Sequence, residues 1–154
     1  MADTIQNRLA ALGVTLPAAA APAGSYVPFV QSGKLILTSG QLPLVDGKLA
    51  ATGLVGRDLD VAAGKEAAKA CAVNVLAQLQ AAAGDLGNIA RLVKITVFVA
   101  SAPDFTEQHL VANGASDFLV AVLGDAGKHA RSAVGMAALP LNAAVEVEAI
   151  AELA

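Results

Sequence analysis

Arg131, in His129-Ala130-Arg131-Ser132-Ala133-Val134-Gly135, and Glu146 with Glu148, in Val145-Glu146-Val147-Glu148-Ala149-Ile150-Ala151, are the residues of this chain best suited to chemistry. A guanidinium presents parallel N–H donors that match a carboxylate in a bidentate, charge-assisted pair. A carboxyl group partly withdrawn from water can hold or pass a proton near neutral pH. In a strand, Glu146 and Glu148 fall on one face and Val145, Val147, Ala149, Ala151 and Leu153 on the other. The two carboxylates therefore need a polar destination, either water or a pocket shared with Arg131.

The surrounding pattern predicts the elements that must position these groups. Thr4–Leu12 reads as a short amphipathic helix capped by Thr4 and ended by Gly13, and an alanine/proline linker over 17–24 follows it across the surface without chemistry of its own. Tyr26–Val30 and Lys34–Thr38 flank Gln31-Ser32-Gly33 as a hairpin, with a third short strand around Asp46-Gly47. Val61–Ala83 is the clearest helix, stopped by Gly84, with Cys71 read as a small buried residue rather than a nucleophile. Leu92–Val99 is a strand with Val93, Ile95, Val97 and Val99 on one face. Asp104–Leu123 reads as a second long helix with Asp104 or Thr106 as cap.

Ala133–Ala138 and Ala143–Glu152 close the chain as two strands joined at Leu139-Pro140-Leu141-Asn142. A hairpin pairing Leu139 with Asn142 puts Glu146 about four residues along from Arg131, roughly 13 Å away. One small acid cannot touch both at that distance. Either the strands pair differently, or Arg131 of one chain meets Glu146 of the next.

Composition narrows the function classes. The chain has 154 residues, 56% of them apolar and only 15% charged, so one domain carries more apolar surface than its charges can keep wet. The apolar runs break well before the roughly 18 residues of a spanning helix, which points to burial between subunits rather than in a membrane. The first residues lack a basic segment leading into an apolar run, so a cytoplasmic protein is expected. A net charge of −3 without a basic stripe argues against a nucleic-acid partner. One cysteine and two histidines, His109 and His129, offer no metal-ligand spacing, and neither metal nor cofactor is expected.

Taken in order, Gly24-Ser25-Tyr26-Val27, Leu37-Thr38-Ser39-Gly40-Gln41-Leu42-Pro43, Val93–Val99, Ala130-Arg131-Ser132 and Glu146-Val147-Glu148-Ala149 resemble the RidA/YjgF family, enamine/imine deaminases also known under endoribonuclease L-PSP and translation-inhibitor names. The resemblance implies a chorismate-mutase-like α+β fold, a mixed β-sheet with two helices on one face, assembled as a homotrimer. It divides the chain into an N-terminal helix and linker over 1–23 and a RidA/YjgF-like domain over 24–154. It further implies cofactor-free hydrolysis of 2-aminoacrylate-type enamines and imines to 2-keto acids and ammonia in an inter-subunit cleft. Arg131 would hold the substrate carboxylate and Glu146 would handle water and protons. Tyr26, Asn113, the Gly40 amide, Ser39 and the backbone of Ala133 would shape the pocket.

Each of these residues also has a bland reading. Arg131 could form an ion pair with Glu146 or Glu148, Tyr26 could be a half-buried strand aromatic, Asn113 a helix-surface residue and Gly40 a turn. The chain departs from the family pattern at Ala133, where many deaminating members carry cysteine, and at His129, Gly135, Gly114-Ala115-Ser116-Asp117 and the N-terminal helix. His129 is read as a surface histidine, with proton transfer at the site mouth as the alternative. A ligand-binding or regulatory member and, behind it, a ribonuclease or translation inhibitor stand as alternative functions.

Overall fold

Asp60 accepts a hydrogen bond from the Ala63 amide at 2.8 Å and Gly84 adopts φ 81°, and between these two stops the chain forms a 23-residue helix. The computed structural model describes residues 2–22 and 24–154. Its helices are α1 (Ile5–Ala11), α2 (Val61–Ala83) and α3 (Gln108–Leu123). Its strands are β1 (Phe29–Ser32), β2 (Leu35–Thr38), β3 (Leu44–Val45), β4 (Lys48–Leu49), β5 (Ile89–Ala100), β6 (Ala130–Met136) and β7 (Val145–Leu153).

Several local expectations shift. Gln31 and Ser32 belong to β1, and the hairpin turns at Gly33-Lys34 instead. Asp46-Gly47 is the turn between β3 and β4, with φ 52° and 76° at the two residues, because a tight hairpin needs left-handed backbone that Asp-Gly tolerates. α3 begins at Gln108 rather than Asp104, and neither Asp104 nor Thr106 caps it. In β5 the pairing slips between Leu92 and Lys94, so Leu92 and Ile95 are both buried and Val93 leaves their face.

Five strands form one mixed sheet in the order β1-β2-β7-β5-β6. β6 runs parallel to β5 and β7 antiparallel to it, so the last two strands are not a hairpin: β5 lies between them. Residues 137–144 carry the chain past the end of β5, where Ser101 donates to the Met136 carbonyl and Ala100 to the Ala144 carbonyl, each at 2.9 Å. The Leu139–Asn142 turn exists, with Leu141 and Asn142 both at positive φ, but it serves this crossing.

α2 and α3 cover one face of the sheet, as expected, over a core that includes Ile36, Leu76, Ile95, Val97, Val99, Leu119, Val145 and Val147. Leu9 of α1 joins the same core, and Arg8 donates to the Val122 carbonyl at 3.0 Å. α2 and α3 approach so closely that a methyl group on Gly114 would strike the backbone of Lys65. Gly114→Val should overpack this crossing by about 1–3 kcal/mol and lower the melting temperature by about 3–10 °C, readable by thermal denaturation.

The opposite face carries Val30, Leu35, Leu37, Val134 and Met136, all exposed in the single chain, beside Lys94, Thr96, Glu146 and Glu148. Among the described residues, no helix is long and apolar enough to cross a membrane.

Candidate functional site

Gly40 lies just beyond β2, where the chain leaves the ladder before Gln41 rejoins β7 through reciprocal bonds with Val147 of 2.8 and 3.0 Å. Thr38 fills the gap by accepting from the Ala149 amide at 3.0 Å. The Ser39 hydroxyl donates to the Val27 carbonyl at 2.7 Å and its amide to Pro28, which ties the segment preceding β1 to this irregular stretch. Tyr26, Ser39 and Gly40 thereby line one cleft of about 150 Å³. The Glu146 carboxyl lies against Gly40 so closely that a β-carbon there would overlap it. Gly40→Ala should displace the Glu146 carboxyl with little change in melting temperature, since the strain falls on one movable side chain, readable by thermal denaturation beside a crystal structure of the variant.

Glu146 stands on the open face with Glu148, and the alternation of β7 matches the sequence reading. Burial first, and the neighbouring charge of Glu148 second, raise its carboxyl pKa above the usual value. No cation among the described residues comes within ion-pair distance of it. Cys71 is fully buried, its thiol 3.4 Å from the Val145 carbonyl, and burial followed by the Glu146 charge pushes its pKa well up, so it is no nucleophile.

Arg131 is built into a different corner. It projects from the edge strand β6 toward α3, where its Nη1 donates to Asn113 Oδ1 at 2.9 Å and to Ser116 Oγ at 3.1 Å, and its Nη2 to the His109 carbonyl at 3.3 Å. Asn113 is thus an Arg131 partner rather than a plain surface residue. Among the described residues no carboxylate pairs with Arg131, which removes the ion-pair alternative. Ala133, two residues along β6, shares its face and is half-buried.

The register shows why the two corners do not meet in one chain. Arg131 is level with Ile95 and Glu146 with Phe98, positions three apart on β5. Side chains alternate, so Arg131 points to the helix side and Glu146 to the open side. Two strand spacings and three residues separate their Cα atoms by roughly 14 Å. The single chain therefore gathers the candidate residues into two separate clusters: Tyr26, Ser39, Gly40 and Glu146 in one, Arg131, Asn113 and Ala133 in the other.

Other contributors had little or no signal in the sequence. Ala20, Ala21 and Pro22 of the linker wall the Tyr26 cleft, and the buried Gln78 holds the Ala20 carbonyl at 2.9 Å. Leu141, at φ 58° and largely exposed, forms another wall. A large apolar side chain in left-handed backbone was the signal that could have marked it, once the turn conformation was known. His129 is part-buried with both ring nitrogens engaged, at 2.9 Å to Ser116 Oγ and 2.6 Å to the Gly127 carbonyl, which corrects its reading as a surface histidine. A wider groove of about 380 Å³, between α2 and the β3–β4 hairpin, contains none of the candidate residues.

Comparisons with known proteins converge on this architecture. Residues 6–153 match the family described as "YjgF/chorismate_mutase-like, putative endoribonuclease". The chain is 55% identical over 150 residues to Protein TCP17 of Trypanosoma cruzi, covering 97% of this chain and 94% of that one. It is 37% identical over 133 residues to the 2-iminobutanoate/2-iminopropanoate deaminase of Salmonella typhimurium, covering 86% and 91%. The crystal structure of protein Atu1372 from Agrobacterium tumefaciens, described as of unknown function, superposes with a TM-score of 0.93 at 58% identity, covering 99% and 94%. With the match spanning nearly its whole length and the fold agreeing with it, the chain belongs to the RidA/YjgF family.

Proposed function

We propose that this protein hydrolyses reactive 2-imino acids, and the enamines in equilibrium with them, to 2-keto acids and ammonia without a cofactor, in clefts formed between copies of the chain in the cytoplasm. The observation that carries the reading is Arg131: a guanidinium anchored to α3 through Nη1, with no protein carboxylate among the described residues, and with Nε–H and a second Nη2 hydrogen left to grip a substrate carboxylate. The deaminase name of the Salmonella relative supports the reaction class.

In the proposed reaction, Arg131 holds the carboxylate and the cleft of Tyr26, Ser39 and Gly40 takes the rest of the molecule. A water attacks the imine carbon as Glu146 accepts its proton. Glu146 returns that proton to the nitrogen, then takes the hydroxyl proton and passes it on as the C–N bond breaks, so both hydrogens of the water leave on ammonia and the carbon keeps the oxygen as a ketone. Burial suits Glu146 to this exchange, because a raised carboxyl pKa makes it a stronger base toward water and a usable acid toward nitrogen.

Joining the two half-sites needs a contact between chains in which Arg131 of one copy reaches Glu146 of another. A trimer, the assembly the family resemblance implies, satisfies this and covers the open apolar face. A second reading, ligand binding without turnover, is favoured by Ala133, which keeps the backbone donor but offers no thiol. The test is ammonia and keto-acid release from imines generated in situ by an amino-acid oxidase. Acceleration by the protein supports the deaminase, and tight keto-acid binding without acceleration supports the second reading.

A further inference from the structure

Ser116 and His129 belong to the stretches in which the chain departs from its family pattern, and the reaction above gives them no part. The structure joins them to Arg131 in one chain of hydrogen bonds whose directions can be assigned. The Gly127 carbonyl can only accept, which places the imidazole proton on Nδ1. In the tautomer with its single proton on Nδ1, Nε2 accepts from the Ser116 hydroxyl at 2.9 Å. With its own hydrogen committed to the ring, Ser116 Oγ turns a lone pair to Arg131 Nη1 at 3.1 Å. Asn113 Oδ1 takes the other Nη1 hydrogen at 2.9 Å. Every donor in the sequence Nη1, Ser116, His129, Gly127 meets one acceptor.

This arrangement orients a long, otherwise mobile side chain. An arginine on an edge strand has about 2 kcal/mol of rotamer entropy to lose on being held. With both Nη1 hydrogens committed to Asn113 and Ser116 and one Nη2 hydrogen to the His109 carbonyl, Nε–H and the remaining Nη2–H are left for a ligand. We infer that Ser116 and His129 are positioning residues that pre-orient Arg131 for a carboxylate, with the imidazole fixing the direction of the serine hydroxyl. The inference rests on the assignment of Arg131 to the substrate carboxylate and adds the residues that make that grip selective for a planar bidentate anion. Asn113 and Ser116, three residues apart on α3, both hold Nη1, and His129, in the segment leading into β6, holds Ser116.

The experiment uses the full-length assembly and two readouts: calorimetric binding of 2-oxobutanoate, and steady-state turnover of in situ imines. The variants are Ser116→Ala, Ser116→Thr, His129→Ala, His129→Gln and Arg131→Ala, each checked by gel filtration and thermal melting. Losing one hydrogen bond to a charged group is worth about 10-fold, so Ser116→Ala should raise Kd and KM about 10-fold, and His129→Ala, which loses a neutral bond and frees the Ser116 hydroxyl to turn, about 3-fold, while kcat changes by less than about twofold. Ser116→Thr keeps the hydroxyl and His129→Gln an acceptor near Nε2, so both should recover most of the binding. A purely structural role predicts lowered melting temperatures with wild-type Kd, and that result overturns the inference. So does equal loss in the alanine and conservative variants. Binding without turnover in the wild type would defeat the deaminase reading while the Kd series still decides the positioning role. No binding by the wild type would remove both.

Discussion

Replacing Glu146 by Gln is expected to lower the proposed imine hydrolysis by about 10² to 10⁴-fold, the usual contribution of a placed acid–base group, with the fold retained. Gln keeps the shape and the hydrogen-bonding reach of the side chain but cannot take a proton from water. The pH dependence gives the sharper test. In the proposed reaction the working form is the carboxylate, so activity should fall as pH drops through the Glu146 pKa, which burial first and the Glu148 charge second raise above its ordinary value. In Glu146→Gln this limb disappears and the residual rate is flat across the window. In Glu148→Gln the limb moves toward lower pH, since one of the two causes that raise the Glu146 pKa has been removed. A full rate in Glu146→Gln assigns the proton chemistry elsewhere.

Arg131→Ala is expected to cost about 10²-fold or more in kcat/KM and to weaken keto-acid binding to a similar degree, because two charge-assisted hydrogen bonds to the carboxylate disappear together. Arg131→Lys should recover little, as a point charge cannot reproduce the parallel pair of donors. The opposed faces of the two half-sites make a further result available. Co-assembled Arg131→Ala and Glu146→Gln chains, each inactive alone, should regain activity in clefts that draw Arg131 from one parent and Glu146 from the other, about one cleft in four for random mixing in a cyclic ring. Subunit mixing followed by the turnover assay measures it. Mixed assemblies as inactive as their parents would return the site to a single chain, and the sheet register would then demand a different residue for one of the two roles.

Gly40 and Glu146 illustrate a dependence that residue type alone conceals. In the sequence Gly40 could be a turn, a close approach to substrate or neither. In the structure it is the space that lets the Glu146 carboxyl settle beside the Tyr26 cleft. The linker shows the same limit: its alanines and proline have no side-chain chemistry, yet the Gln78 amide fixes Ala20 as a cleft wall.

Local physics was legible along the chain. The helix read over Val61–Ala83 with its stop at Gly84 matches α2, the two-residue alternation put Glu146 and Glu148 opposite the buried face of β7, and the ordered motifs carried the family. Such features depend on capping groups and side-chain periodicity within a few residues, which a linear sequence displays directly. The placement of β5 between β6 and β7 is of another kind. Turn residues at Leu139–Asn142 are as compatible with a crossing as with a hairpin, and the choice rests on which strand edges pair across the whole sheet. That choice put Arg131 and Glu146 on opposite faces, set Asn113 and Ser116 against the guanidinium with His129 behind Ser116, and kept the candidate residues in two separate clusters, because contacts between distant segments follow from strand order and register rather than from any residue's neighbours in sequence.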